Sequence, residues 1–192
     1  MNITQLTVIN ACLASMGEEP INSLADENAF INGAKFALEQ ANINEQTRGW
    51  YFNMETLTVH PHAIDKQYYL PADVIDFTQE QVNPGWLNLR GNKMYDSDNA
   101  EYLTGTSPFK VRIIRLLTFE DLPIMARRMV KGAAVMLFQQ SYDGDSTKIQ
   151  EAQQEYQLAY TYLNTQHIKS VGANFLPRRG TELRGHSRRL PT

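Results

Sequence analysis

Apolar positions recur at helical spacing in the first part of the chain: Leu6, Ile9, Leu13 and Met16 fall on one face of a helix over residues 4–16. Gly17 followed by Pro20 supplies the stop. A second helix is expected over 24–47, opened by Ser23 and Asp26 as a capping pair and carrying Ala25, Ala29, Ala34, Ala37 and Ala41, small residues that permit close helix approach. At Thr47-Arg48-Gly49-Trp50 the period changes. Gly49 can take the left-handed conformation that closes a helix, and Trp50, Phe52 and Met54 then alternate with Tyr51, Asn53 and Glu55 as on a strand. This corner of Gly49, Trp50 and Phe52 is expected to fix a sheet to a helical layer. Leu57 and Val59 fall on the opposite parity from Trp50, Phe52 and Met54, which a bulge near Glu55-Thr56 would explain.

Further strand signals occupy residues 67–70, Val74 to Phe77, the stretch Trp86 to Tyr95 turning at Arg90-Gly91-Asn92, and Phe109 to Leu116. Helical spacing returns after Thr118, which precedes Asp121 by three and stands ahead of Pro123, a residue favoured in a first turn. A helix over 120–141 places Met125, Met129, Ala133, Met136 and Leu137 on one face and Arg127, Arg128 and Lys131 mostly on the other; a last helix covers 147–164. The expected fold class is α+β. The terminal helices (1–49 and 118–165) form a four-helix bundle, a central antiparallel β block (50–117) is inserted between the helix pairs, and 166–192 form an extended basic tail.

Charge sharpens that division. Of the 192 residues, those from Gln166 onward carry Lys169, Arg178, Arg179, Arg184, Arg188 and Arg189 against Glu182, a net +5, which leaves −8 on the rest. An acidic body is a poor static binder of nucleic acid, because affinity for phosphate comes mainly from Lys and Arg releasing counterions. The Gly- and Pro-containing basic end has the composition of a segment that orders on a partner. No run of about 18 apolar residues suggests a membrane span, and the N-terminus lacks the basic-then-apolar order of a secretory signal, so synthesis and folding in a host cytoplasm without membrane attachment are expected. The single Cys12 sits in an apolar helical pattern and is expected to be buried and inert.

Candidate chemistry is sparse. His60-Pro61-His62 has no cysteine or third histidine at zinc spacing, and Asp96-Ser97-Asp98-Asn99-Ala100-Glu101 lacks the glycine and the twelfth-position acid of a calcium loop. Glu18-Glu19, Glu120-Asp121 and Asp143-Asp145 are carboxylate pairs of the kind glycoside cleavage uses, and each also reads as a cap or turn. There is no glycine-rich phosphate loop, no Gly-x-Ser-x-Gly elbow and no Cys/His nucleophile pair, so no catalytic residue, metal or cofactor is assigned.

The stretch Ile9-Asn10-Ala11-Cys12-Leu13-Ala14-Ser15-Met16-Gly17-Glu18-Glu19-Pro20-Ile21, followed by Arg48-Gly49-Trp50-Tyr51-Phe52-Asn53-Met54-Glu55, resembles tail tubular protein A, the head-to-tail adaptor family of short-tailed, autographivirus-type phages. Tyr69-Leu70-Pro71-Ala72-Asp73, Arg90-Gly91-Asn92-Lys93-Met94-Tyr95-Asp96, and Ile113-Ile114-Arg115-Leu116 running into Phe119-Glu120-Asp121-Leu122-Pro123 recur in the same order. The resemblance implies a structural virion protein of the tail: a dodecameric ring of identical subunits between the portal protein and the tail nozzle protein (tail tubular protein B), with a tail fibre protein nearby and DNA passing through its channel without sequence-specific binding. On that reading Arg178, Arg179, Arg184, Arg188 and Arg189 are candidates for portal binding. Two rival classes are an adaptor that also cleaves cell-wall or capsular glycans through the carboxylate pairs, and a nucleic-acid-binding module that uses the basic tail.

Overall fold

The computed structural model describes residues 2–26, 29–79, 87–142 and 145–173. It is a mixed α+β fold with four helices and two small antiparallel sheets. Helix α1 (Gln5–Ser15) begins at Thr4, whose hydroxyl accepts the Thr7 N–H while its own N–H donates to Thr7 Oγ1. It ends at Gly17, where φ is +77° and the Glu18 N–H reaches back to Leu13 O. Helix α2 spans Ile31–Gln46, starting later than its alanine pattern suggests. Asp26 Oδ2 accepts the N–H groups of Asn22 and Ser23, both at 2.9 Å, and Ser23 Oγ accepts that of Ala25. The capping pair therefore closes a turn of its own, and Ala25 and Ala29 lie exposed outside the helix. Asn10 clamps this connection over α1 by exchanging two 2.9 Å bonds with the backbone of Ile21.

Trp50 to Asn53 do not continue a strand. The Trp50 carbonyl accepts the N–H groups of both Asn53 and Met54, so the chain turns once before strand β1 (Met54–Val59) begins. The expected bulge at Glu55-Thr56 is absent as well: β1 pairs with β6 (Phe109–Arg115) in unbroken register from Met54↔Ile114 to Val59↔Phe109. The parity switch has another cause, namely that the two sheet faces serve different cores. Met54 and its partner Ile114 point back at Gly49, whereas Leu57, Val59, Val111 and Ile113 face the β core with Tyr68, Leu70, Val74 and Met94. The irregularity lies instead in β2 (Val74–Gln79), where the register against β6 shifts between Val74 and Asp76.

The second sheet is β3 (Leu87–Arg90), β4 (Lys93–Asp96) and β5 (Glu101–Tyr102). Its hairpin turns at Gly91-Asn92 with Gly91 at φ +63°, the sign a type II′ turn requires at its first loop position. Trp86, expected in that hairpin, lies outside the described residues. Residues 67–69 contribute bridges rather than a strand, pairing Tyr69 with Lys93 and Gln67 with Thr104.

A 3-10 turn at Phe119–Asp121 and Pro123 lead into α3 (Ile124–Tyr142), and α4 covers Ser146–Ala173. Helix α3 does not keep one apolar face. Ala126, Met129, Val130, Ala133, Ala134 and Phe138 are all buried, because α1, α2 and α4 each pack against it. The approach of α4 is close at Gly132, where a side chain would meet Ala152 O at 3.0 Å. Helix α4 also runs past residue 165, where the sequence places the start of an extended tail, and is helical to Ala173. Cys12 is fully buried, and burial pushes its thiol up to about 12.

Candidate functional site

The strongest concentration of buried polar chemistry lies where the chain crosses between helices and sheet, at residues 45–53 and again at 115–118. Glu45, Gln46 and Asn53 are buried, an arrangement that is tolerated only when the polar atoms are paired. Gln46 uses its whole amide: Oε1 accepts the Leu117 N–H at 2.8 Å, and Nε2 donates to Leu117 O at 2.9 Å and to Asn42 Oδ1 at 2.9 Å. Asn53 closes the other crossing. Its Oδ1 accepts the Trp50 N–H at 2.7 Å and its Nδ2 donates to Gln46 O and Arg115 O, both at 3.0 Å.

Trp50 sits in the middle of this seam, 4% exposed, with its indole N–H on Glu45 O at 2.8 Å. Tyr160 and His167 of α4 meet its ring edge-on, and Phe52 stacks beside it at 6.4 Å between centroids. Gly49 has φ +69°, a left-handed conformation that favours glycine, and the tips of Ile114 and Met54 pack against it where the helix end passes the sheet. Gly49, Trp50 and Phe52 are thus brought together as one corner. Gln46, Asn53 and Asn42 belong to it too, and sequence reasoning missed them because an isolated amide gives no periodic signal.

The seam extends to α4 through Glu45, whose carboxylate pairs with Arg48 Nε at 3.0 Å and accepts the Tyr156 hydroxyl at 3.2 Å, while the Arg48 guanidinium lies over the Tyr160 ring. Burial raises the Glu45 pKa against the opposing pull of Arg48 and of the Tyr156 hydrogen bond. Burial likewise pushes the Tyr156 phenol up to about 12, with the Glu45 charge adding to it. Because the folded pKa of Glu45 stands above its unfolded value, the folded state holds the proton longer. Glu45 therefore costs stability once pH rises above the unfolded carboxylate value, and the cost is fully present above the folded one. Glu45→Gln, which keeps an acceptor for Tyr156, is expected to raise the melting temperature slightly at neutral pH and to match wild type at about pH 4, near the unfolded value. Thermal melts across that range check this, and a variant less stable at neutral pH would show that the Arg48 pair outweighs burial.

Several of the other candidate groups are consumed locally. Asp121 accepts the Thr118 hydroxyl at 2.8 Å, Glu120 accepts Gln5 Nε2 at 3.1 Å, and Asp145 caps α4 by accepting the Thr147 N–H at 2.7 Å. Glu18 and Glu19 are exposed, and Asp143 lies outside the described residues. Asp96 accepts the N–H groups of Asp98 and Asn99 and the Asn99 side chain, bonds that lower its pKa as the acceptor of a tight turn. His62 Nδ1 lies 2.9 Å from Asp65, and the Tyr69 hydroxyl is the main reason that carboxyl falls to about 2. No group of three His, Cys, Asp or Glu able to hold a metal occurs among the described residues, and no described helix is long and apolar enough to cross a membrane.

Arg127 donates to Leu122 O, Asn2 Oδ1 and Ile3 O and touches Glu120 O, while Arg128 and Lys131 share Glu155 at 3.0 and 2.9 Å. These cations bind the fold to itself. A crevice of about 250 Å³ between α1, α3 and α4 has Ala14, Val135 and Ala152 on its walls and the Lys148–Glu151 pair at its rim. Arg178, Arg179, Arg184, Arg188 and Arg189 lie outside the described residues.

What the geometry offers is a helical layer and a β layer joined by paired amides at Gln46 and Asn53. No curated protein matches the chain. The family model described as tail tubular protein matches residues 6–172, which takes in all four helices almost entirely and both sheets. The chain belongs to the tail tubular protein family and is a structural component of a phage tail.

Proposed function

We propose that this tail protein is the head-to-tail adaptor, the A-type tubular protein: a ring of identical subunits, dodecameric as in the family it resembles, held between the portal and the nozzle and lining the DNA channel. The observation that carries this reading is the separation of charge, −8 on the body and +5 on residues 166–192. An acidic wall lets DNA slide without sticking, because it offers few cations to displace counterions. The helices supply the bundle through which subunits keep their shape, and the welded seam transmits load between the helical and β layers without a soft joint. Arg178, Arg179, Arg184, Arg188 and Arg189 engage acidic or carbonyl-rich portal surface as charge-assisted contacts. Against glycan cleavage, the Glu120-Asp121 pair and Asp145 are occupied as turn and cap groups.

A chain ending at Ala173 tests the tail. Its circular dichroism and melting temperature are expected to match the full chain, and co-sedimentation with portal rings is expected to be lost, with full-chain binding weakening as salt rises. Unchanged capping by the shortened chain would remove the tail arginines as the anchor.

A further inference from the structure

The second sheet turns Leu87, Leu89 and Met94 into the β core, so the alternate positions Arg90, Lys93, Tyr95 and Tyr102 share its other face. Tyr69, bridged to Lys93, extends that face by one residue. Arg90 and Lys93 stand directly opposite each other across the hairpin, a placement that costs stability because like charges face. Neither takes part in an ion pair among the described residues. Each lies on tyrosine instead: the Arg90 guanidinium is 3.3 Å from the centre of the Tyr95 ring, and Lys93 Nζ is 5.1 and 5.2 Å from those of Tyr69 and Tyr102. Asp65 is the acid whose charge reaches Lys93, and its oxygens already serve the Tyr69 hydroxyl at 2.7 Å, His62 Nδ1 at 2.9 Å and the Gln67 N–H at 3.1 Å. Two cations against one engaged carboxylate leave surplus positive charge on a body that is otherwise acidic.

An apolar tip projects beside this face. Residues 62–67 form a tight loop in which the His62 N–H donates to Gln67 O at 2.8 Å, the Lys66 N–H to His62 O at 3.1 Å and Lys66 Nζ to Ala63 O at 2.9 Å. Ile64, at the turn of the loop, is 87% exposed, and its neighbour Asp65 ties the loop to Tyr69. A loop already ordered by its own bonds has little backbone freedom left to lose when a partner covers it.

We propose that Ile64, Arg90, Lys93 and Tyr102 form a docking surface for a different protein of the phage tail, one that presents an apolar hollow beside carboxylates. The inference rests on membership of the tail tubular protein family and is independent of the adaptor reading. Charge complementarity selects the partner: its carboxylates supply the counter-charge that the opposed Arg90 and Lys93 lack. Exposed tyrosine and arginine around an apolar anchor are also the composition of the few residues that hold a protein interface together. Nucleic acid meets this surface poorly, because Arg90 covers the Tyr95 ring and Lys93 sits against Tyr69 and Tyr102, which leaves bases no open ring on which to stack. Ile64 likewise has nothing to bury against a phosphate backbone.

A photo-cross-link from the loop tip tests this in the assembled particle. Ile64 of the full chain is replaced by p-benzoylphenylalanine, the protein is built into phage particles, and these are irradiated and the adducts identified by mass spectrometry. The expected adduct joins residue 64 to another tail protein at a peptide rich in Asp and Glu. Adding Arg90→Gln/Lys93→Gln is expected to cut its yield about tenfold or more, with unchanged circular dichroism. Lys148→Gln, which removes a surface lysine from its pair with Glu151, should leave the yield as it was. Should the double variant fail to fold, the single Arg90→Gln carries the test, since that guanidinium is exposed. The proposal is overturned if residue 64 joins to DNA, to a second copy of this chain or to nothing, or if the neutralised variant cross-links as strongly as the unneutralised one.

Discussion

Trp50→Ala is expected to destabilise the protein by about 3–5 kcal/mol, the range for a large aromatic truncated in a packed core. The indole is 4% exposed and touches three separate elements, so its removal leaves a void bordered by α2, α4 and the turn before β1. The substitution also removes the indole donor to Glu45 O, beside the backbone and amide bonds of Gln46 and Asn53 that hold the walls of the void. For a chain of this length each kcal/mol moves the melting temperature by about 2–4 °C, which predicts a fall of roughly 6–20 °C. Calorimetry or a circular-dichroism melt reads it directly. A soluble variant with an unchanged midpoint would mean that Trp50 packs loosely and that the corner is held by the amides alone.

The corner was legible in the sequence through its aromatic density and through Gly49, but the conformation of its residues was not. Alternation of Trp50, Phe52 and Met54 imitates a strand, but the chain makes one tight turn with two N–H groups on the Trp50 carbonyl, which buries Trp50 and Asn53 and leaves Tyr51, Phe52 and Met54 half-buried. Helix α3 shows the opposite error. Its Met125, Met129, Ala133, Met136 and Leu137 stripe is real, yet Val130, Ala134 and Phe138 on the other sides are buried too, because three helices surround it. Periodicity reports how one face differs from another and is weak where every face is covered. The start of α2 was misplaced for a local reason: Ser23 and Asp26 have the spacing of a capping box and use it to close a turn. Pairing between distant segments was the least accessible part, since Gln46 and Leu117 are 71 residues apart and no pattern in either stretch names the other.

Asn53 carries the second large expectation. Its amide satisfies three backbone groups at once, the Trp50 N–H, Gln46 O and Arg115 O, and the residue is 1% exposed. Asn53→Ala strands all three where water has little access. With each unsatisfied buried group costing about 1–3 kcal/mol, and such losses overlapping, a total of about 3–4 kcal/mol is expected. Packing loss alone would give less, since only a small side chain is removed, so Asn53→Asp separates the two explanations. The carboxylate fills the same volume and can still accept from Trp50, but it cannot donate to Gln46 O or Arg115 O and sets a negative charge against both carbonyls. Its folded pKa must rise above the ordinary carboxylate value of about 4, so the folded state keeps its proton while the unfolded state ionises. Stability relative to wild type is therefore expected to fall as pH rises through the unfolded and then the folded value, and to recover in acid, where the protonated group donates to one carbonyl again. Melting temperatures of wild type, Asn53→Ala and Asn53→Asp between acid and neutral pH measure this. An aspartate variant as stable as wild type at neutral pH would show that the seam does not depend on the amide donors, and that the helical and β layers are joined by apolar contact alone.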